Sequence, residues 1–225
     1  MAIIYSMIIG LILLGSVAVL LFFGIAERVF KSFGVAYWLA FIMVGVLIGS
    51  AFIPSFRIGV VTVNAAGFIA PAAFAVVFFV IAVRTREHYR AIVAASAVAA
   101  SYVAVRLLVE PIASPVVTAI VVGFLCGAIG FLVGKTKLAA LASIFAGFPI
   151  GEGISTAVGA FLPSVEMRLG SAAMFDALII AAVFSVAMFE AIAAIKRTMN
   201  ARRTAVLAET AEEFDPDEYK RYFDE

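Results

Sequence analysis

Five polar residues within or at the ends of the apolar stretches of this sequence are unusual. They are Asn64, Arg106, Glu110, Glu152 and Asp176. An ionisable group inside a bilayer costs free energy, and it is found mainly where it serves an ion, a proton or a solute. A carboxyl group at low dielectric can hold a proton or pair with a cation, while an amide or a guanidinium can orient a solute or supply counter-charge. These residue types therefore indicate a candidate ion or solute site.

The elements that position these residues are membrane-spanning helices. Hydrophobic residues make up 65% of the 225 residues and charged residues only 14%, whereas a water-soluble domain carries roughly a quarter charged residues. A span needs about 20 mostly apolar residues. Seven stretches meet this length, and we predict an all-α, polytopic membrane helix bundle of one domain (1–195) followed by a tail (196–225). The predicted spans are 2–26, 34–53, 60–83, 91–109, 114–134, 138–162 and 170–195.

The distribution of basic residues predicts the orientation of these seven spans. With the loops assigned alternately to two sides, eleven Lys and Arg residues fall on one side and three on the other. Because cytoplasmic loops carry the excess of basic residues, we expect a multipass cell-membrane protein with its N-terminus outside and its C-terminal tail in the cytoplasm. The tail begins basic and becomes acidic, which is typical of a solvated, partly helical segment or of a docking site for a partner.

This topology places the two carboxyl groups Glu152 and Asp176 at comparable depth in consecutive antiparallel spans. At 1.5 Å per residue, Glu152 lies roughly 15 Å and Asp176 roughly 9 Å from the outer ends of spans six and seven. We expect them to face each other across one outward-facing polar crevice. Two carboxylates in such a place cannot both stay ionised at low cost, so one holds a proton, or a cation or Arg106 lies between them.

Helix-breaking residues accompany the polar groups in two spans. Proline removes a backbone donor, and glycine weakens a helix. Discontinuous helices build ion and solute sites in secondary transporters. We therefore predict broken helices at spans three and six, with kinks that ease packing as the alternative. The residues are Gly67 and Pro71 in span three, and Gly147, Pro149, Gly151 and Gly153 in span six.

Other features of the sequence indicate packing rather than chemistry. Four small-xxx-small pairs, which begin at Gly45, Gly123, Gly130 and Gly147, allow helix backbones to approach closely in lipid. We expect most of them to pack inside the bundle, with a homo-oligomer as the alternative use. Cys126 is the only cysteine, and no metal-ligand spacing, phosphate-binding loop or dinucleotide fingerprint is present. The sequence thus predicts no cofactor, no metal and no nucleic-acid partner.

Three segments of the chain resemble a known protein family. They are the stretch VNAAGFIAP at 63–71 after Ile53-Pro54, the triplet Gly151-Glu152-Gly153, and the stretch GSAAMFDA at 170–177. The family they resemble comprises prokaryotic, often archaeal, multipass membrane proteins known only as a domain of unknown function. Its members usually carry Asp where Glu152 stands and Gly where Ala66 stands. The resemblance implies the membrane fold and a role for Asn64, Glu152 and Asp176, and it implies no reaction.

Three functions remain open on the sequence alone. The favoured one is a small ion- or proton-coupled transporter, in which Glu152 and Asp176 couple ion movement to a solute oriented by Asn64 and Arg106. The second is a membrane scaffold or structural subunit that recruits a partner through its acidic tail. The third is an intramembrane hydrolase in which one protonated and one ionised carboxyl group activate water. The first two are not enzymes, and the balance of the residues favours them.

Overall fold

A computed structural model of the protein describes residues 7–24, 37–109, 114–159 and 167–213. These residues form seven α-helices, one π-helical turn and three short strands. In chain order the elements are α1 (Ile8–Phe22), α2 (Tyr37–Ser50), β1 (Phe56–Ile58), β2 (Val61–Val63), the π turn (Ala65–Ile69), α3 (Ala70–Arg84), α4 (His88–Val109), α5 (Pro115–Gly134), α6 (Lys137–Gly159), β3 (Met167–Leu169) and α7 (Ala172–Glu213).

The helices fit the predicted membrane protein. Five described helical segments are long and apolar enough to cross a membrane: 65–84, 88–108, 115–134, 137–158 and 172–204. The two described apolar helices near the N-terminus, α1 and α2, are shorter. Large apolar side chains such as Phe22, Leu108 and Leu132 point outward and are exposed, as lipid-facing residues are. The all-α class is therefore confirmed, while the count of seven crossings stays a prediction.

The chain divides into two compact units, Met1–Ala187 and Met188–Glu225. The first unit contains the bundle, in which α6 is the most buried of the long helices and packs against α3, α4 and α5. The second unit contains the later part of α7, whose described side chains from Ile195 to Thr204 are exposed. Helix extends to Glu213 in this unit, so the described part of the predicted tail is helical.

Spans three and six differ from the predicted broken helices. In span six, α6 is helical throughout, with Pro149 inside it, so the expected unwound segment is not found. In span three, the irregular part is the π turn, which continues directly into α3 with Pro71 in the first turn of that helix. Proline is tolerated there because the first turn of a helix has no internal partner for its N–H groups.

A small three-stranded sheet joins two distant parts of the chain. β1 pairs with β2 antiparallel, and β2 pairs with β3 parallel, so Val63 lies beside Leu169. The ladder continues one step further, because the Asn64 N–H donates to the Leu169 carbonyl at 2.9 Å. The residue pattern does not predict these strands, which are only three residues long. They hold the start of the π turn against the start of α7.

Three of the four small-xxx-small pairs pack inside the bundle, as expected. A Cβ atom built on Gly123 would lie 2.7 Å from Ile180 of α7, and one on Gly134 would lie 2.8 Å from the Ala140 backbone of α6. Gly147 and Gly151 allow helix α4 to approach closely, since Cβ atoms there would lie 2.6 Å from Val98 and 2.7 Å from Tyr102. The pair at Gly45 is different: among the described residues, nothing lies within 4 Å of either glycine's Cβ position.

This difference gives a matched pair of substitutions. We expect Gly147→Ala to lower the free energy of unfolding by about 1–3 kcal/mol, because the new methyl group forces α4 and α6 apart. Gly45→Ala adds the same methyl group to open space and leaves the stability unchanged or slightly higher. Titration with sodium dodecyl sulfate in mixed micelles, followed by circular dichroism, measures both values. Equal values for the two variants would contradict the close packing.

Candidate functional site

Glu152 is the centre of the polar site. Its side chain has 0% exposure, although it is acidic and lies in the most buried long helix. Arg106 forms an ion pair with its Oε2 atom, and the Tyr102 hydroxyl donates to the same oxygen. The Gly170 backbone N–H donates to Oε1 at 3.1 Å. Glu152 therefore connects α6 to α4 and to the segment before α7.

Helix α4 positions both side-chain donors. Tyr102 and Arg106 are four residues apart, so they lie on one face of the helix, one turn apart. Arg106 Nη1 also donates to Ser155 Oγ at 3.1 Å, and Ser155 lies three residues after Glu152 on α6. The Arg106 side chain is 22% exposed, which makes it the part of this ion pair that reaches the surface. Gly151 permits the arrangement, because any side chain there would strike Tyr102.

Asp176 has a different partner from those of Glu152. Its carboxyl group is 3% exposed, and its Oδ1 atom accepts a hydrogen bond from the Gly10 N–H at 2.7 Å. Gly10 is in the first turn of α1, where N–H groups have no partner within the helix. A carboxylate at a helix N-terminus is also favoured by the helix dipole. Asp176 therefore caps α1 from α7, and Gly10 leaves room for it, since a Cβ there would lie 2.7 Å from Oδ1.

The predicted carboxylate pair is not found in this structure. Glu152 is bonded to α4 and to Gly170, whereas Asp176 is bonded to α1. The expectation that Arg106 neutralises a buried carboxylate is met at Glu152 alone. The expected open crevice is also not found, because both carboxyl groups are buried. The physical reason is that donors on other elements bond each acid: Arg106, Tyr102 and the Gly170 N–H bond Glu152, and the Gly10 N–H bonds Asp176.

Asn64 begins the π turn and is buried. Its Oδ1 atom accepts from the Gly67 N–H at 2.8 Å, and its Nδ2 atom donates to Ser55 Oγ at 3.1 Å. The residue thus acts as a helix cap, a common role for Asn at this position. Glu110, the fifth predicted site residue, lies outside the described residues.

The predicted helix-breaking glycines serve close contact rather than unwinding. A Cβ on Gly67 would lie 2.8 Å from the Ser171 carbonyl oxygen, and one on Gly170 would lie 2.9 Å from the Phe68 backbone nitrogen. Gly170 also has a φ of +81°, which side chains rarely adopt. This contact of two backbones brings the Gly170 N–H to Glu152. Gly153 is the exception, because no described residue lies within 4 Å of its Cβ position.

Sequence reasoning missed three partners of the acids, which are Tyr102, Gly170 and Gly10, and one partner of Arg106, which is Ser155. Two of them left a signal, since Tyr102 is one turn before Arg106 and Ser155 is one turn after Glu152. The other two contribute only backbone N–H groups, which no residue type marks.

The described residues contain no group of three or more His, Cys, Asp or Glu side chains that could hold a metal ion. Comparisons with protein-family models, with curated proteins and with solved structures found no match to this chain. The family resemblance noted from the sequence therefore stays a prediction, and the argument for function depends on the geometry of the site.

Proposed function

We propose that this protein is a small ion- or proton-coupled transporter, oriented with its N-terminus outside, and that Glu152 is its coupling residue. One observation carries the proposal: a fully buried carboxyl group is held by the Arg106 guanidinium within a membrane bundle. A buried ion pair is weak evidence for stability, since an apolar pair of similar size serves a fold as well. In membrane helices such groups mark proton and solute pathways.

The geometry suggests how coupling would proceed. A proton that reaches Glu152 removes the negative charge that holds Arg106, and the guanidinium then becomes available to a solute. Departure of the solute and the proton restores the ion pair. The buried site corresponds to the closed stage of such a cycle, between opening to one side and to the other. Asn64 and Asp176 would hold the surrounding helices in register through their bonds to Gly67 and Gly10.

Flux measurements test this proposal. Proteoliposomes that enclose a pH-sensitive dye are exposed to inward gradients of sodium, potassium, halides, amino acids or organic acids. At least one gradient should change the internal pH, and Glu152→Gln should abolish that change, because the amide cannot take up and release a proton. Glu152→Asp keeps the acid and should retain part of the flux.

Two controls make the result interpretable. Empty vesicles measure leakage, and circular dichroism with size-exclusion chromatography shows whether each variant folds. If a folded Glu152→Gln protein transports as fast as the wild type, or if no gradient drives flux in the wild type, the proposal is wrong.

A scaffold role is the second candidate, and one observation favours it. The side chains of Lys196, Arg197, Arg202 and Arg203 are exposed on helix α7, so they are accessible to an acidic partner or to anionic lipid. A truncation after Ile195, which removes these basic residues and keeps the predicted span 170–195, would favour the scaffold if it leaves flux unchanged but abolishes a cellular phenotype. The hydrolase alternative loses its basis, because the two acids have separate partners.

A further inference from the structure

A second small site adjoins the Glu152–Arg106 pair. It is a cavity of about 20 Å³ between α4, α5 and the start of α7, and its polar lining is Tyr102, Arg106, Thr118 and Ser171. One water molecule needs a cavity with about 10–15 Å³ of space that the centre of a water-sized sphere can reach. The space therefore fits one water molecule or one monatomic ion.

Thr118 contributes a buried hydroxyl group to the lining of the cavity. The residue is only 8% exposed, and its hydroxyl oxygen has no hydrogen-bond partner among the described residues. A buried hydroxyl without a partner costs free energy, so native proteins usually supply one. The preceding helix turn provides no partner for this hydroxyl among the described residues. The Thr118 backbone N–H, by contrast, donates to the Ser114 carbonyl at 3.0 Å.

The groups around the cavity favour a negative charge. Arg106 contributes a permanent positive charge. Ser171 accepts from the Met174 N–H at 3.0 Å, so its own hydroxyl proton can be donated to another group. Ser171 also directly precedes α7, and helix N-termini attract anions. The Thr118 and Tyr102 hydroxyls add further donors, although Tyr102 donates to Glu152 in this structure.

Charge balance links this cavity to Glu152. The pair Glu152⁻ and Arg106⁺ is neutral, so adding one anion alone would bury a net negative charge, which is costly in a membrane. Adding a proton to a Glu152 oxygen at the same time forms one O–H bond and leaves the site neutral again. Arg106 then exchanges its carboxylate partner for the anion.

We propose that this cavity binds one small monovalent anion of halide size, and that the anion binds together with a proton on Glu152. The inference depends on the proposed function and deepens it, because it names the solute class that the coupling residue would serve. Anion affinity should therefore rise as the pH falls, since binding of either partner favours binding of the other.

The other titratable groups near Glu152 are few. Helix α4 presents Tyr102 and Arg106, and β3, which packs against α6, presents the exposed Arg168. Helix α7 contributes Asp176, which is bonded to Gly10 of α1. A pH dependence that survives in Glu152→Gln would therefore point to Asp176 rather than to Glu152.

Calorimetric titration of the purified full chain with sodium bromide tests the inference, with sodium gluconate keeping the ionic strength constant. We expect bromide to bind at least tenfold more tightly at pH 5.5 than at pH 8. Thr118→Val keeps the side-chain shape but removes the hydroxyl, so it should weaken binding at pH 5.5 about tenfold, the effect of one lost hydrogen bond to a charged group. Glu152→Gln should bind bromide equally at both pH values.

Ser185→Ala is the matched control. Like Thr118, Ser185 is buried and its hydroxyl has no partner within the described residues. Unlike Thr118, it does not line this cavity. Its removal should leave bromide binding unchanged. Absence of bromide binding at both pH values, or equal weakening by Thr118→Val and Ser185→Ala, would overturn the inference.

The flux assay separates this inference from the proposed function. Proton flux that responds only to sodium, amino-acid or organic-acid gradients, without bromide binding, overturns the anion site and keeps the transporter. Bromide binding that depends on Thr118, without flux under any gradient, overturns transport and leaves a static anion site.

Discussion

We expect Arg106→Met to lower the free energy of unfolding by about 3–5 kcal/mol, the largest effect of any single change proposed for this protein. The substitution keeps an unbranched side chain that packs against α6, but it removes the charge that pairs with Glu152. The buried carboxylate keeps Tyr102 and the Gly170 N–H as donors, and neither carries a positive charge. The cost thus arises from the charge left behind rather than from a lost contact.

A double-mutant cycle separates these two causes. Glu152→Met alone leaves Arg106 without its partner and is also destabilising, whereas Arg106→Met with Glu152→Met replaces the whole pair by apolar side chains. Such a replacement is often neutral or stabilising. The double variant should therefore be more stable than either single variant and should show no proton flux.

The control for this cycle lies on the same helix. Arg90 is on α4 and exposed, so Arg90→Met should change the stability by no more than about 0.5 kcal/mol. If the double variant loses as much stability as the two single variants together, Glu152 and Arg106 do not stabilise each other. Proton flux retained by the double variant would instead remove Glu152 from the mechanism.

Gly170→Ala should have the second-largest effect, a loss of about 2–5 kcal/mol. Two costs add at this position. A φ of +81° is unfavourable for a residue with a side chain, by about 1–2 kcal/mol. The new Cβ would also lie 2.9 Å from the Gly67 carbonyl carbon and the Phe68 nitrogen, and overpacking costs about a further 1–3 kcal/mol. Since these are backbone atoms, no side-chain rotation relieves the contact.

Gly59 provides the comparison that isolates the close contact. It has a φ of +60°, but no described residue lies within 4 Å of its Cβ position. Gly59→Ala should therefore show only the conformational cost, about 1–2 kcal/mol. Titration with sodium dodecyl sulfate measures both variants. If the two alanine variants lose equal stability, the close approach of the two backbones does not contribute.

The spans could be predicted because lipid imposes one simple condition. Every backbone group in the bilayer must be bonded within its own segment, so a long apolar stretch predicts a helix. Spans four to six agree with α4 to α6 within three residues at each end. The strands at Phe56–Ile58, Val61–Val63 and Met167–Leu169 were not predictable, because three-residue strands have no periodicity to detect and pair with residues far away in sequence.

The prediction of broken helices misjudged what glycine and proline do here. As helix-weakening residues, Gly147 and Gly151 predict an unwound segment, yet they lie where α4 approaches α6. A sequence shows that a glycine lacks a side chain, but it does not show whether that absence serves a turn or a neighbour. Pro149 is accommodated within a helix that is almost entirely covered by protein.

The sequence by itself determined that the helices suit a membrane, where those helices lie and which polar residues are buried. Each of these follows from composition and local spacing. Only the tertiary structure decided which partners those residues take. Helices in lipid are not driven together by the hydrophobic effect, so their pairing depends on the fit of small residues and on individual hydrogen bonds. This fit pairs Glu152 with Arg106 and Asp176 with the Gly10 N–H. The depth and the type of these residues in the sequence do not determine these pairings.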